Sequence, residues 1–146
     1  MHLAQANVAA MRVPYDDPLM ADFKEQLDTV NATADTAPGF VWRFVENEDD
    51  MPEIIRVFGS ERTLFNLSVW DSIASLEAWV YSGKHLDVVR QRAKWFEKSP
   101  RSPLVLWWID EGHIPTIEEA GSRFERLWQN GPSPEAFTFA TRFEAT

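Results

Sequence analysis

The sequence predicts an α+β fold with the element order βαββαβ, and three patterns predict it. Residues 3–8, 40–45, 64–70 and 104–109 alternate in polarity or are apolar throughout, as strands do. Helical spacing of apolar residues fills the two long connections, one after the first of these segments and one after the third. The strands also offer apolar side chains on both faces, so the sheet has to be covered on both.

Each element has its own signals. Residues 3–8 (Leu-Ala-Gln-Ala-Asn-Val) form the first strand, and a loop over 11–16 carries Pro14. Asp17 can cap the helix that follows, Pro18 sits where a missing N–H is harmless, and Leu19, Phe23, Leu27 and Val30 recur at helical spacing. Pro38-Gly39 stops that helix. In the second strand, residues 40–45, strict alternation puts Phe40, Trp42 and Phe44 on one face and Val41, Arg43 and Val45 on the other. Residues 46–62 are acidic, contain Pro52 and Gly59, and read as a long loop or irregular hairpin. After the third strand, 64–70, Asp71-Ser72 leads into a helix with Ile73, Leu76, Trp79 and Val80 on one side. Ser82-Gly83 bends or breaks it, and a run over 84–98 sets His85, Val88, Val89, Arg92 and Phe96 on one stripe. The fourth strand, 104–109, is apolar on both faces. Thr116 and Glu119 then make a capping-box pattern for a last helix with Ile117, Ala120, Phe124, Leu127 and Trp128, and residues 137–139 add a short edge strand. No repeat, low-complexity tract or linker divides the chain. One domain is expected over 1–146, with 116–146 as a C-terminal helix and tail extension.

Composition narrows the function. With 14 Lys+Arg against 23 Asp+Glu, the formal charge of −9 argues against a surface that tracks phosphates, so neither nucleic acid nor an anionic membrane is expected as a partner. The absence of cysteine removes disulfides, thiolate nucleophiles and iron–sulfur clusters. There is no basic leader and no long apolar stretch, and the cytoplasm is the expected compartment. Seven Trp stand beside ten Phe, more indole than a domain of 146 residues needs as filler.

Two split βαβ units make a ferredoxin-like, antiparallel four-stranded sheet with helices on one face. A second copy packed sheet against sheet would cover the other, so a homodimer is expected. The segments Asn66-Leu-Ser-Val-Trp70-Asp-Ser and Leu76-Glu-Ala-Trp79-Val-Tyr-Ser82 resemble the antibiotic-biosynthesis-monooxygenase superfamily, whose members are dimeric α+β barrels of this topology. Over nearly its full length the chain is also similar to a bacterial family recorded only as a domain of unknown function. His2-Leu-Ala-Gln-Ala-Asn7, Pro38-Gly-Phe-Val-Trp-Arg43, Tyr81-Ser-Gly-Lys-His85, Lys94-Trp-Phe96, Leu106-Trp-Trp108 and Gly112-His-Ile-Pro115 carry that likeness.

Chemistry is sought among polar residues within strands. Gln5 and Asn7 share a face of the first strand, and Asn66, Ser68 and Trp70 share a face of the third; these two strands are the central pair of such a sheet. A buried amide without partners costs about 1–3 kcal/mol, so the cluster either satisfies itself or lines a cavity for a ligand. In the second case the body of the ligand lies against Trp42, Trp70, Trp79 or Trp107. His85 is the strongest candidate for acid/base work or for binding iron, with Arg92 two turns on to attract a carboxylate or phenolate. Arg43, Tyr81 and Val89 complete the expected substrate-binding set. His113, one turn before a capped helix, reads as a structural tie. His2, His85 and His113 are far apart in sequence, and no resident metal is expected.

The superfamily resemblance sharpens this. Its haem-degrading members place an Asn on the first strand, a Trp on the second helix and an iron-binding His about ten residues further on; Asn7 and Trp79 match the first two, and Val89 stands at the third. His85 is one turn earlier, a displacement of about 5.4 Å, which disfavours haem. The cofactor-free members combine Asn and Trp side chains with a phenolic substrate that reacts with oxygen, and Asn7 or Asn66 with Trp70 or Trp79 fit that pattern. The expected function is therefore an enzyme for an apolar aromatic or polyketide-like molecule. It would work without a cofactor, by oxygenation or by acid/base chemistry such as cyclisation or isomerisation, with His85, Asn7 and Asn66 as its catalytic candidates. A non-catalytic dimer that binds a ligand or haem is the alternative, and a third reading places most Trp at a dimer interface.

Overall fold

Backbone pairing gathers β1 (His2–Ala10), β2 (Phe40–Arg43), β3 (Thr63–Trp70) and β4 (Leu104–Ile109) into one antiparallel sheet of order β2-β3-β1-β4. β1 and β3 are the central pair, in register from Leu3 opposite Trp70 to Ala10 opposite Thr63. The computed structural model describes residues 1–145; Thr146, the last residue of the expected domain, lies outside the described residues. α1 (Ala21–Asp35) follows a 3₁₀ turn capped by Asp17, whose side chain accepts from the Leu19 N–H at 2.9 Å. Ser72 caps α3 (Ile73–Val80) by accepting from the Ser75 N–H at 3.1 Å, and the break at Ser82-Gly83 separates it from α4 (Gly83–Arg90). The run expected over 84–98 is therefore shorter, ending in a 3₁₀ turn at Arg92–Lys94.

Residues 46–62 are not a loop. They hold α2 (Met51–Phe58), with Pro52 in its first turn, where no N–H is needed, and Gly59 closing it at φ +86°, a conformation that disfavours other residues. α5 (Ile117–Asn130) begins at Thr116, which accepts from the Glu119 N–H at 3.1 Å, and these two helices pack together. A Cβ on Gly121 would lie 2.3 Å from Val57 Cγ1, so glycine allows that close approach. The expected edge strand at 137–139 reduces to one bridge, Phe137 with Leu106.

Both faces of the sheet are covered from within the chain. On one, Ala4, Ala6, Leu67, Val69, Val105 and Trp107 pack with Ile54 of α2 and with Ile117, Ala120, Phe124 and Leu127 of α5 in a single core. This removes the uncovered face on which the expected sheet-to-sheet pairing with a second copy rested. The opposite face, beneath α1, α3 and α4, carries two separate apolar clusters. Leu3, Trp70 and Leu106 join Ala34 and Leu76 at one end, while Leu64 packs against Met11, Met20, Phe23 and Trp95 at the other.

β2 departs from strict alternation. Its pairing with β3 shifts register between Phe40 and Trp42, so Phe40 lies edge-on to Trp70 at 5.4 Å while Trp42 and Phe44 join the α2–α5 core. A bulge reverses which face later residues take, which is why Phe40 and Trp42 do not share one.

A candidate site at the seam between two clusters

Alternation along the central strands puts the polar residues between the two apolar clusters. On β1, Gln5 and Asn7 follow Leu3 on the same face; on β3, Ser68 and Asn66 separate Trp70 from Leu64. Gln5, 3% exposed, donates through Nε2 to Asn66 Oδ1 at 2.6 Å and to Ser68 Oγ at 2.7 Å. Ser68 Oγ also accepts the indole N–H of the fully buried Trp70 at 2.9 Å. The amide cluster thus satisfies itself in part. Asn7, half-buried beside it, makes no side-chain hydrogen bond among the described residues.

From Trp70 the line continues into the helices. Trp70 and Trp79 lie 5.5 Å apart between ring centroids, and Trp79 lies 4.5 Å from His85. The Trp79 indole donates to Thr33 Oγ1 of α1 at 3.1 Å, which fixes its orientation. Thr33 has no signal in the sequence that would mark it for this role. His85 Nδ1 lies 2.8 Å from the Val80 carbonyl, which can only accept, so Nδ1 carries the hydrogen and Nε2 keeps its lone pair. Nε2 has no partner among the described residues. Burial holds the imidazole below its ordinary pKa, against a smaller upward pull from the Val80 carbonyl. His85 stands one turn before Val88, which packs on the second cluster, and stacks on Trp79, which packs on the first. The histidine is thus joined to the strand amides through Trp79 and Trp70. A cleft of about 430 Å³, open to solvent and lined by Thr33, Ala37, Trp79, Ser82, Gly83, Lys84 and Asp87, reaches Trp79 from outside.

Among the expected site residues, the structure brings together Asn7, Asn66, Ser68, Trp70, Trp79 and His85. It does not bring the others. Trp42 is on the opposite face of the sheet. Arg43 is engaged by Asp35, with Nε–Oδ1 at 2.7 Å, and holds that carboxyl below its usual pKa chiefly through this hydrogen bond. Tyr81 is 61% exposed. Val89 is half-buried on α4, and Arg92, exposed, donates to the Val89 carbonyl at 2.8 Å. His113 Nε2 is 2.7 Å from Glu119 Oε1, and Glu119 Oε2 accepts the Trp107 indole at 2.8 Å. It ties the loop to the last helix through a carboxylate rather than a backbone carbonyl, and Glu119 turns inward instead of closing the capping box. Among the described residues no three His, Asp or Glu side chains converge as metal ligands, and no helix is long and apolar enough to cross a membrane.

Residues 2–146 match the sequence family described as Domain of unknown function (DUF3291). No curated protein matches the chain in sequence. Among solved structures, Rv0793 from Mycobacterium tuberculosis is similar at a TM-score of 0.56 and 13% identity, covering 77% of this chain and 100% of that one. SnoaB, a cofactor-independent oxygenase from Streptomyces nogalater, is similar at 0.51 and 14%, covering 79% and 98%. A conserved protein from Methanosarcina mazei Go1 reaches 0.55 at 10%, over 73% and 91%. At such identities the likeness is one of fold, and it bears out the ferredoxin-like α+β arrangement.

Proposed function

The chain belongs to the family described as Domain of unknown function (DUF3291), and from that premise and the polar seam in its sheet we propose that it is an enzyme for a small aromatic or polyketide-like molecule. The observation that carries the reading is His85, neutral and half-buried, with Nε2 free at one end of a line of side chains that ends on the central-strand amides. A base so placed takes a proton from an acidic C–H or O–H, and the half-buried amides of Asn7 and Asn66 hold the oxygen on which negative charge collects. Trp79 packs against the ring, and the fully buried Trp70 backs it from behind.

That first step serves two outcomes. Returning the proton elsewhere on the substrate isomerises or cyclises it. In oxygenation, the carbanion gives its electron pair to dioxygen, a C–O bond forms, and protonation gives a hydroperoxide. Loss of the remaining C–H proton with cleavage of the O–O bond then releases water and leaves a carbonyl. A methylene and one dioxygen become one carbonyl and one water, with no other oxidant. The likeness to SnoaB in fold supports this branch.

The test uses 1,8-dihydroxyanthrone. Wild-type protein is expected to accelerate oxygen uptake over buffer, or, under argon in D₂O, exchange of the methylene protons, and His85→Ala to lose about 10²-fold or more of either rate. A wild-type protein that accelerates neither overturns the reading. A free imidazole nitrogen is also what a haem iron requires, which favours a binding protein as the second reading. Haemin titration decides it: a Soret shift in wild type that is lost in His85→Ala supports haem binding, and no spectral change removes it.

A further inference from the structure

Gln5 has a hydrogen-bonding group that nothing in the chain uses. Both amide hydrogens are engaged, by Asn66 Oδ1 at 2.6 Å and Ser68 Oγ at 2.7 Å, and Ser68 is itself fixed by the buried Trp70 indole at 2.9 Å. These contacts hold the amide plane, and Oε1 accepts from no donor among the described residues. Ser133 Oγ is the sole side-chain polar atom among those residues that is both sealed from solvent and unpartnered, so Gln5 Oε1, also unpartnered, is not sealed. An atom on the central strand, on a residue 3% exposed, thus keeps a residual contact with solvent, beside the half-buried Asn7 and Asn66. An amide oxygen accepts and cannot donate.

We propose that Gln5 is a specificity-determining residue, whose Oε1 accepts the hydrogen of a phenolic or enolic hydroxyl on the ligand. The proposal rests on the seam being the ligand site and adds what the ligand must carry there. Asn7, with no partner of its own, can donate to the same hydroxyl oxygen or to a neighbouring carbonyl. A hydroxyl next to a ring carbonyl satisfies both, so the substrate class is a hydroxylated aromatic ketone or its enol tautomer, rather than an apolar ring alone. A methyl ether at that position has no hydrogen to give and adds a carbon where the oxygen should approach.

NMR titration of the isotope-labelled chain with 1-naphthol and with 1-methoxynaphthalene tests this. In wild type, naphthol is expected to bind at least about tenfold tighter than the ether, because a site built around a hydroxyl leaves its acceptor unpaired with the analogue. The Gln5 side-chain carbonyl carbon should move with naphthol and stay with the ether. Gln5→Met, of similar length and without the acceptor, should bring the ratio close to one. Equal binding of both probes by wild type overturns the role of Gln5 and leaves the seam as a ligand site. Failure of both to bind overturns the seam as well. A preference that persists in Gln5→Met, or that leaves the Gln5 carbon unmoved, also overturns it. Should Gln5→Met not fold, the carbonyl shift in wild type decides alone.

Discussion

The two faces of the sheet are built from the same four strands and carry opposite designs. Beneath α2 and α5 lies one continuous core in which two indoles have polar partners, Trp107 on the Glu119 carboxylate and Trp128 on the Ser102 carbonyl, and both partners are half-buried. Beneath α1, α3 and α4 the apolar surface is interrupted, and the interruption holds Gln5, Asn7, Asn66 and Ser68, with His85 joined to them through Trp79 and Trp70. Burying amides in a central strand lowers stability relative to apolar residues of the same shape. A fold that accepts this on one face and avoids it on the other separates, on the proposed function, its packing from its chemistry: α2 and α5 serve stability and the seam serves the ligand.

The largest effect that would sharpen this division is expected on the packing face. Phe124 is fully buried, stacked on Trp128 at 5.0 Å and edge-on to Phe58 at 6.0 Å. Phe124→Ala should cost about 3–5 kcal/mol in urea denaturation, while the protein that remains folded keeps its affinity for naphthol. Ser68→Ala comes next, at about 1–3 kcal/mol, because it strands the Trp70 indole and one Gln5 hydrogen. Unlike Phe124→Ala, it should also weaken naphthol binding in the folded fraction. If the two variants affected stability and binding in the same proportion, the division between faces would fail.

Much of this division was legible in the sequence. Alternation set Gln5 and Asn7 on one face of the first strand and Asn66, Ser68 and Trp70 on one face of the third, helical spacing turned His85 inward, and the register of β1 with β3 makes the two strand faces one. Two features were not, for different reasons. The bulge that sends Trp42 to the far face is a backbone event at Val41 with no side-chain signature, so strict alternation misassigned every apolar residue after it. α2 did carry signals: Asn47 to Asp50 form a capping box, Pro52 stands in the first turn and Gly59 closes the end. In an acidic stretch, Pro52 and Gly59 read as breakers when they were a start and a stop. Missing α2 left one sheet face bare, and one of the two grounds for expecting a second copy followed from that omission, the other being the superfamily resemblance.

A smaller effect is expected from pH. Burial depresses the His85 pKa in the folded chain, so above the ordinary imidazole range both folded and unfolded states are neutral and stability is at its full value. As the pH falls below that range the unfolded chain takes up a proton that the folded one resists, and stability is lost until the folded value is passed. The thermal midpoint of wild type should therefore drop more between pH 7 and pH 5 than that of His85→Gln, which has nothing to titrate there. Equal pH profiles would mean that His85 is solvated like any surface histidine, and the seam would lose its base.

Arg92 should matter least, although its place on the His85 stripe pointed to a ligand anion. The chain turns into a 3₁₀ segment at Arg92, and its guanidinium, exposed, closes the end of α4 on the Val89 carbonyl at 2.8 Å. Loss of one exposed contact at a helix end falls within about 0.5 kcal/mol. Arg92→Ala is expected to unfold within that margin of wild type and to bind naphthol with unchanged affinity. A variant that folded normally but lost the affinity would place the C-terminal end of α4 in contact with the ligand. The site would then reach past Val88 into the second cluster, and the seam would be one edge of a larger pocket instead of its floor.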